Sequence, residues 1–209
     1  MSLGGTSIAM KRGYQAHGTI LGKFLSAGCL GVLLGLFVTL VVVERGKGFA
    51  AIAAGPWTGW PRTGTSDIDP YTRAILAYSG EMSLSESEGM SFVAHGDSNG
   101  SEFDPACDYA LKGEIPFARY WTLTLLSPAG APIANTAGRL GFTSSEVLRA
   151  SDGQFEITIS RHARPGNWLP IGDTSKFILV LRLYDSELGA PGAALDAASM
   201  PGLVKGRCE

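Results

Sequence analysis

The sequence predicts a mainly β protein: an antiparallel β-sandwich with one or two short helices, preceded by a single transmembrane helix. Three observations carry this prediction. Several short runs alternate apolar and polar residues with period two. The 28 Gly and 11 Pro among 209 residues supply the turns such a fold needs. A block of twenty residues near the N-terminus contains no charge at all. With 45% hydrophobic and 17% charged residues the chain is too apolar for a disordered protein. Its length suits one domain plus an appendage.

Residues 1–23 are expected as a cytoplasmic tail, with Lys11, Arg12 and Lys23 as its basic residues. Phe24 to Val43 reads FLSAGCLGVLLGLFVTLVVV. As a helix it would be about 30 Å long, the thickness of a bilayer's hydrocarbon core. A buried core helix would show a polar face, and only Ser26, Cys29 and Thr39 interrupt this one. A cleaved signal peptide is the sharper alternative, with Ala51-Ile52-Ala53 as its cleavage box. That box lies well past the apolar run, and the run exceeds the usual ~7–15 residues of a signal core, so a retained anchor is favoured. Ala27, Gly31, Gly35 and Thr39 recur every four residues, a small-residue face through which membrane helices pack, with another copy or another protein.

Three basic residues precede the span, and Arg45 and Lys47 follow it, a weak bias toward a cytoplasmic N-terminus. Cys29 lies inside the span, which leaves Cys107 and Cys208 as a pair in the remaining chain. One disulfide in an oxidising compartment is expected of them, with two unrelated buried thiols as the alternative. Residues 48–209 carry 12 Lys+Arg and 18 Asp+Glu, a net of 12 − 18 = −6. Such a domain is a poor nucleic-acid binder, because phosphate neutralisation supplies most of that affinity.

Residues 44–68, rich in Gly and Pro, are expected as a linker and entry loop, and 69–209 as the sandwich domain. Trp57 and Trp60 are either interfacial anchors or the first core residues. Asp69-Pro70 is a helix start, with Asp as N-cap, and Gly80 its stop, which gives a helix at 70–79. Residues 153–160 and 119–126 alternate as strands with one wet face. Residues 177–184 are apolar on nearly both faces and belong at the centre of a sheet. Weaker strands are expected near 89–95 and 106–112. Ser127 to Pro132 is a turn, Thr143-Ser-Ser-Glu146 a capping box for a helix at 144–150, and Ser151-Asp-Gly153 another turn.

Chemistry is weakly signalled. His95-Gly-Asp97 offers two ligand types, but His162 is the only other imidazole beyond the span, so no metal is assigned. No G-x-S-x-G elbow, phosphate loop or prenylation box is present, and no cofactor is implied. Arg161 to Pro170 (RHARPGNWLP) is the most distinctive stretch. Arg119, His162, Arg164, Asn167 and Trp168 form a candidate binding surface, since Arg and Trp are frequent anchors. The alternative is a framework turn bent at Pro165-Gly166. Arg119 and Arg182 interrupt apolar strands and call for partners, with Asp108, Glu114 and Asp185 as candidates.

These residues carry a resemblance. Gly55-Pro-Trp57, Asp69-Pro-Tyr71, Cys107-Asp-Tyr109, Ala118 to Thr122, Gly141 to Ser144, Asp152-Gly153, Arg164 to Pro170 and Leu181 to Tyr184 together resemble the bacterial family called domain of unknown function 1214. The resemblance implies a jelly-roll or sandwich domain, and a short membrane-anchored branch ending in a Cys such as Cys208. It also implies a companion of the domain of unknown function 1254 family. It carries over no catalytic residue. The expectation is a single-pass protein of the bacterial inner membrane. Its N-terminus would be cytoplasmic, its periplasmic domain would serve binding or assembly with a membrane partner, and homo-oligomers would form through the helix. The alternative is a cell-envelope enzyme acting on a glycan or lipid-linked substrate through polar residues near Arg119, Asn167 and His162. A ligand sensor ranks third, because a short tail holds no signalling domain.

Overall fold

The computed structural model describes residues 12–44, 51–61, 63–79, 84, 88–186, 188 and 200–208. Residues 1–11, Arg45, Lys47 and Gly80, named above, lie outside the described residues. The chain divides into two units, Met1–Arg45 and Gly46–Glu209.

The first unit is α1 (Arg12–Glu44). It begins twelve residues before Phe24, so part of the expected tail is helical. Its apolar stretch Ile20–Val43 has 24 residues and a mean hydropathy of 2.5, and none of it is buried. At 1.5 Å per residue that is about 36 Å, enough to cross a bilayer. The hydroxyl of Ser26 is spent on the Lys23 carbonyl at 3.0 Å, so it costs little in lipid. Nothing stands within 4 Å of a side chain built at Gly31 or Gly35.

Among the described residues the second unit is mainly β, with one α-helix, α2 (Pro70–Ser79). Its strands are β1 (Ile52–Ala54), β2 (Trp57–Gly59), β3 (Gly89–Ala94), β4 (Cys107–Lys112), β5 (Ala118–Leu126), β6 (Gly141–Thr143), β7 (Glu156–Ser160), β8 (Asn167–Pro170), β9 (Ile178–Ser186) and β10 (Gly202–Cys208). They form a six-stranded sheet in the order β1-β2-β3-β9-β5-β6 and a four-stranded sheet in the order β10-β4-β7-β8. Phe92, Trp121, Leu123, Leu181 and Leu183 of the larger sheet and Tyr109, Leu111, Ile157, Ile159, Leu169 and Leu203 of the smaller one belong to one buried core. Phe103 stacks on Phe177 at 4.8 Å and meets Tyr109 edge-on at 5.0 Å.

β9 is central, between β3 and β5, which explains its two apolar faces. Leu179, Leu181 and Leu183 enter the main core, while Ile178 and Val180 join Trp60, Val93 and Leu126 in a second cluster. Trp57 is fully buried and donates to the Pro201 carbonyl at 2.7 Å. Both tryptophans are thus core residues of the domain, not anchors in lipid.

Three expectations need correction. The stretch 44–68 is not only a linker, since β1 and β2 pair with each other and β2 pairs with β3. The sheets are not wholly antiparallel, since β7 and β8 run parallel. Residues 161–166 return the chain from the level of Ser160 to that of Ile157, three residue steps or about 10 Å, well within the ~20 Å reach of six extended residues. Gly166 turns the return with a φ of 81°. The helix expected at 144–150 stops at a single turn. The Thr143 N–H does donate to the Glu146 carboxylate at 3.2 Å. But Leu148, which would have to bond within the helix, gives both its N–H and its C=O to the Asn167 side chain.

Cys107 and Cys208 are disulfide-bonded across a sequence separation of 101, at facing positions of β4 and β10. Cys29 is free and exposed.

Candidate functional site

β4 alternates Cys107, Tyr109 and Leu111 inward with Asp108, Ala110 and Lys112 outward. The register brings Val204, Ala110, Thr158 and Trp168 into one row across the outward face of the four-stranded sheet. A groove of ≈930 Å³ lies on this side, among Asp108, Lys112, Arg149, Glu156, Arg164 and Arg207. Its floor and rim also include Leu148, Phe155 and Asn167. A second hollow of ≈360 Å³ shares Gly113, Arg149, Gln154 and Phe155 with it and reaches Trp121.

The groove's charges are organised. Arg164 meets Asp108 at 2.6 Å, with both side chains about a quarter to a third exposed. Lys112 meets Glu156 at 3.0 Å. Arg149 donates to the Gly153 carbonyl at 3.0 Å and sits over the Phe155 ring at 4.9 Å. Phe155 in turn stacks on Trp121 at 5.4 Å. Among the described residues Arg207 makes no ion pair.

The sequence-derived candidates do not all meet here. Arg164 and Asn167 line the groove, whereas Arg119, His162 and Trp168 line neither hollow. Asn167 is buried, and its amide is spent on the backbone. Nδ2 donates to the Leu148 and Glu156 carbonyls at 2.9 Å each, and Oδ1 accepts the Leu148 N–H at 2.8 Å. Trp168 is half-buried, and its indole N–H donates to the Ser160 carbonyl at 3.0 Å. Arg161 bonds the carbonyls of Pro105 and Thr174 and so ties two loops together. Arg119 stands exposed on β5, 3.8 Å from the equally exposed Asp185, a pair of small energetic weight. His162 is exposed in the turn after β7. The convergence of Arg119, Asn167 and His162 that the enzyme alternative calls for is therefore not formed at either hollow.

Asp97 is buried and accepts the N–H groups of Asn99 and Ser101, both at 2.9 Å, while His95 is exposed. The pair is a turn. Among the described residues no three His, Cys, Asp or Glu side chains gather as a metal set. Tyr109 is the core's titratable group. Burial raises its phenol pKa, and its oxygen accepts the Asp104 N–H at 2.8 Å.

Sequence reasoning missed Lys112, Arg149 and Arg207. They come from β4, the loop before β7 and β10, and no linear pattern joins them.

Residues 88–188 match the family model described as protein of unknown function DUF1214. No curated protein matches the chain. In three dimensions the chain is similar to the VPA0106 protein of Vibrio parahaemolyticus, with a TM-score of 0.57 and 17% identity, over 97% of this chain and 47% of that one. An uncharacterized protein of Burkholderia cenocepacia is similar at a TM-score of 0.39 and 15% identity, over 84% and 42%. The chain thus spans about half the length of these solved chains.

Proposed function

From a DUF1214 domain at residues 88–188 and an apolar helix N-terminal to it, we propose a membrane-anchored binding or assembly protein. In this reading the helix is a single span, the N-terminus is cytoplasmic and the sandwich domain stands in the periplasm of a bacterial inner membrane. The observation that carries it is the uncovered 24-residue apolar stretch, in the same chain as a domain closed by a disulfide. A long helix without protein cover needs lipid, and the disulfide belongs to an oxidising compartment. The stripe Ala27, Gly31, Gly35 and Thr39 would pack on a membrane partner or a second copy. A partner gains support from the Vibrio parahaemolyticus chain, 47% of which is covered, so that this fold there accompanies about as much chain again. A companion of the domain of unknown function 1254 family fits that place.

The experiment is purification of tagged full-length protein in mild detergent, with mass spectrometry of what accompanies it. A stoichiometric membrane partner that is lost from the Gly31→Leu/Gly35→Leu variant supports assembly through the stripe. A solitary protein that also runs as a monomer refutes it. Topology is read by labelling an added cysteine in the domain with an impermeant thiol reagent in whole and broken cells. Labelling only after lysis would place the domain on the cytoplasmic side and overturn the reading.

A further inference from the structure

We propose that the groove over the four-stranded sheet is a binding site for a phosphate-bearing anion. The inference takes the binding half of the functional reading and names the ligand's chemistry, and it needs neither the partner nor the topology.

The first argument is charge segregation. Residues 48–209 carry a net −6, from 12 Lys+Arg and 18 Asp+Glu. Among the described residues the groove's lining reverses that sign: Lys112, Arg149, Arg164 and Arg207 face Asp108 and Glu156, a net of 4 − 2 = +2, while the adjoining hollow, which shares Arg149, adds Glu114 and Asp152. An acidic domain that gathers a third of its cations around one concavity holds a local field unlike its average.

The second argument is which cations remain uncompensated. The ion pairs to Asp108 and Glu156 use Arg164 and Lys112. The excess charge therefore sits on Arg149 and Arg207. Among the described residues Arg149 has a neutral carbonyl and a ring face as partners and no carboxylate. Both are guanidinium groups, planar forks whose N–H pairs match the oxygens of a phosphate.

The third argument is preorganisation. The Phe155 ring beneath Arg149 rests on buried Trp121, and Asn167 fixes the adjacent Leu148. Arg207 precedes Cys208, which is bonded to Cys107 of the neighbouring strand. The Arg149 head is thus held before a ligand arrives, whereas at Arg207 only the backbone is set and its side chain is ordered on binding. At ≈930 Å³ the groove has room for more than a bare ion, and Leu148, Phe155 and Pro165 give it apolar surface. A phosphate ester with an organic portion fits that mixture. It is either a soluble ester or the headgroup of an anionic lipid.

Isothermal calorimetry on full-length protein, purified alone in nonionic detergent, tests this with two probes. Glycerol 3-phosphate stands for the soluble source and dihexanoyl phosphatidylglycerol for the lipid. Glycerol and dihexanoyl phosphatidylcholine are their controls. At least one anion should bind more tightly than its control, and the tighter of the two identifies the source. Arg207→Gln, an exposed side chain whose loss leaves the core intact, should weaken binding on the order of tenfold, as expected for one charged hydrogen-bonding group. Arg149→Lys keeps the charge but loses the fork, and should weaken it as well. The proposal is overturned if neither anion exceeds its control, or if both variants bind like the parent. A partner found without anion binding, or anion binding without a partner, separates this inference from the assembly reading.

Discussion

Replacing Asn167 tests whether the centre of the distinctive stretch is framework. Its amide makes three hydrogen bonds, two to Leu148 and one to Glu156, from a side chain only 6% exposed. At a net of about 1 kcal/mol per bond, Asn167→Ala should cost about 3 kcal/mol. For a domain of this size that corresponds to roughly 6–12 °C in Tm. Asn167→Asp is the sharper variant. Its carboxylate still accepts the Leu148 N–H, but it turns an oxygen toward two carbonyls that have lost their donor. It should cost at least as much at neutral pH and recover partly on acidification, when a protonated carboxyl donates once. The assay is thermal unfolding of the full chain in detergent, followed by near-ultraviolet circular dichroism. Trp168→Phe, which removes one bond to Ser160, is the comparison and should cost about 1 kcal/mol. If Asn167→Ala shifts Tm by no more than Trp168→Phe, the bracket is not what holds residues 148–150, and the explanation for the missing helix falls with it.

Other outcomes follow from single features. Replacing both Cys107 and Cys208 by Ala should cost about 4.7 kcal/mol in the chain-entropy account of a 101-residue separation, and equal midpoints with and without reductant would contradict it. Gly89→Ala should destabilise the domain by more than about 2 kcal/mol, because φ is 146° and the new Cβ would lie 1.9 Å from the Leu183 carbonyl oxygen; a melting curve unchanged from the parent's would show that β3 and β9 can shift apart. Asp69 is held below the usual carboxylate range by the Thr72 hydroxyl and by the N–H groups of Thr72 and Tyr71. Its capping contribution is therefore complete above the ordinary Asp pKa and lost as pH falls through the lowered value, a dependence that Asp69→Asn should abolish in an acid titration of α2 helicity. Tyr109, raised by burial, works in the opposite direction. Its contribution is complete below the ordinary phenol pKa and lost as pH rises through the raised one, so Tyr109→Phe should flatten the alkaline limb of a stability–pH curve.

The sequence made visible whatever is stated locally. The alternation in 119–126 and 177–184 is a property of neighbouring residues, and β5 and β9 follow it. Asp69-Pro70 caps α2 within one turn. β1, β2, β6 and β8 are hidden because three or four residues show too little period, and the seven-residue β10 because GLVKGRC does not alternate, its strand being set by pairing with β4 far back along the chain. Trp57 illustrates this: its indole is satisfied by Pro201, 144 residues away. The capping box at Thr143 is legible and is half made, its Glu146 carboxylate accepting the Thr143 N–H while the Glu146 N–H goes to the Thr143 carbonyl, yet a distant amide outcompetes the helix it should start. The same reason hid the groove. Arg164 sits in a conspicuous run, while Arg149 and Arg207 become neighbours of that groove through sheet pairing and the disulfide.

The disulfide also divides the domain mechanically. Residues 107–208 form a covalent ring that contains β4 through β10, whereas β1, β2 and β3 lie on the strand of chain leading into it. Tension applied through the N-terminal helix would be felt first by the β1–β2 hairpin, then by β3 where it is zipped along β9. At Cys107 the pull would pass through the disulfide to Cys208, so the residues between them would add no extension. A protease cutting once between the two cysteines would open the ring without releasing a fragment. The domain is thus built to yield from its N-terminal edge while its remaining strands stay joined.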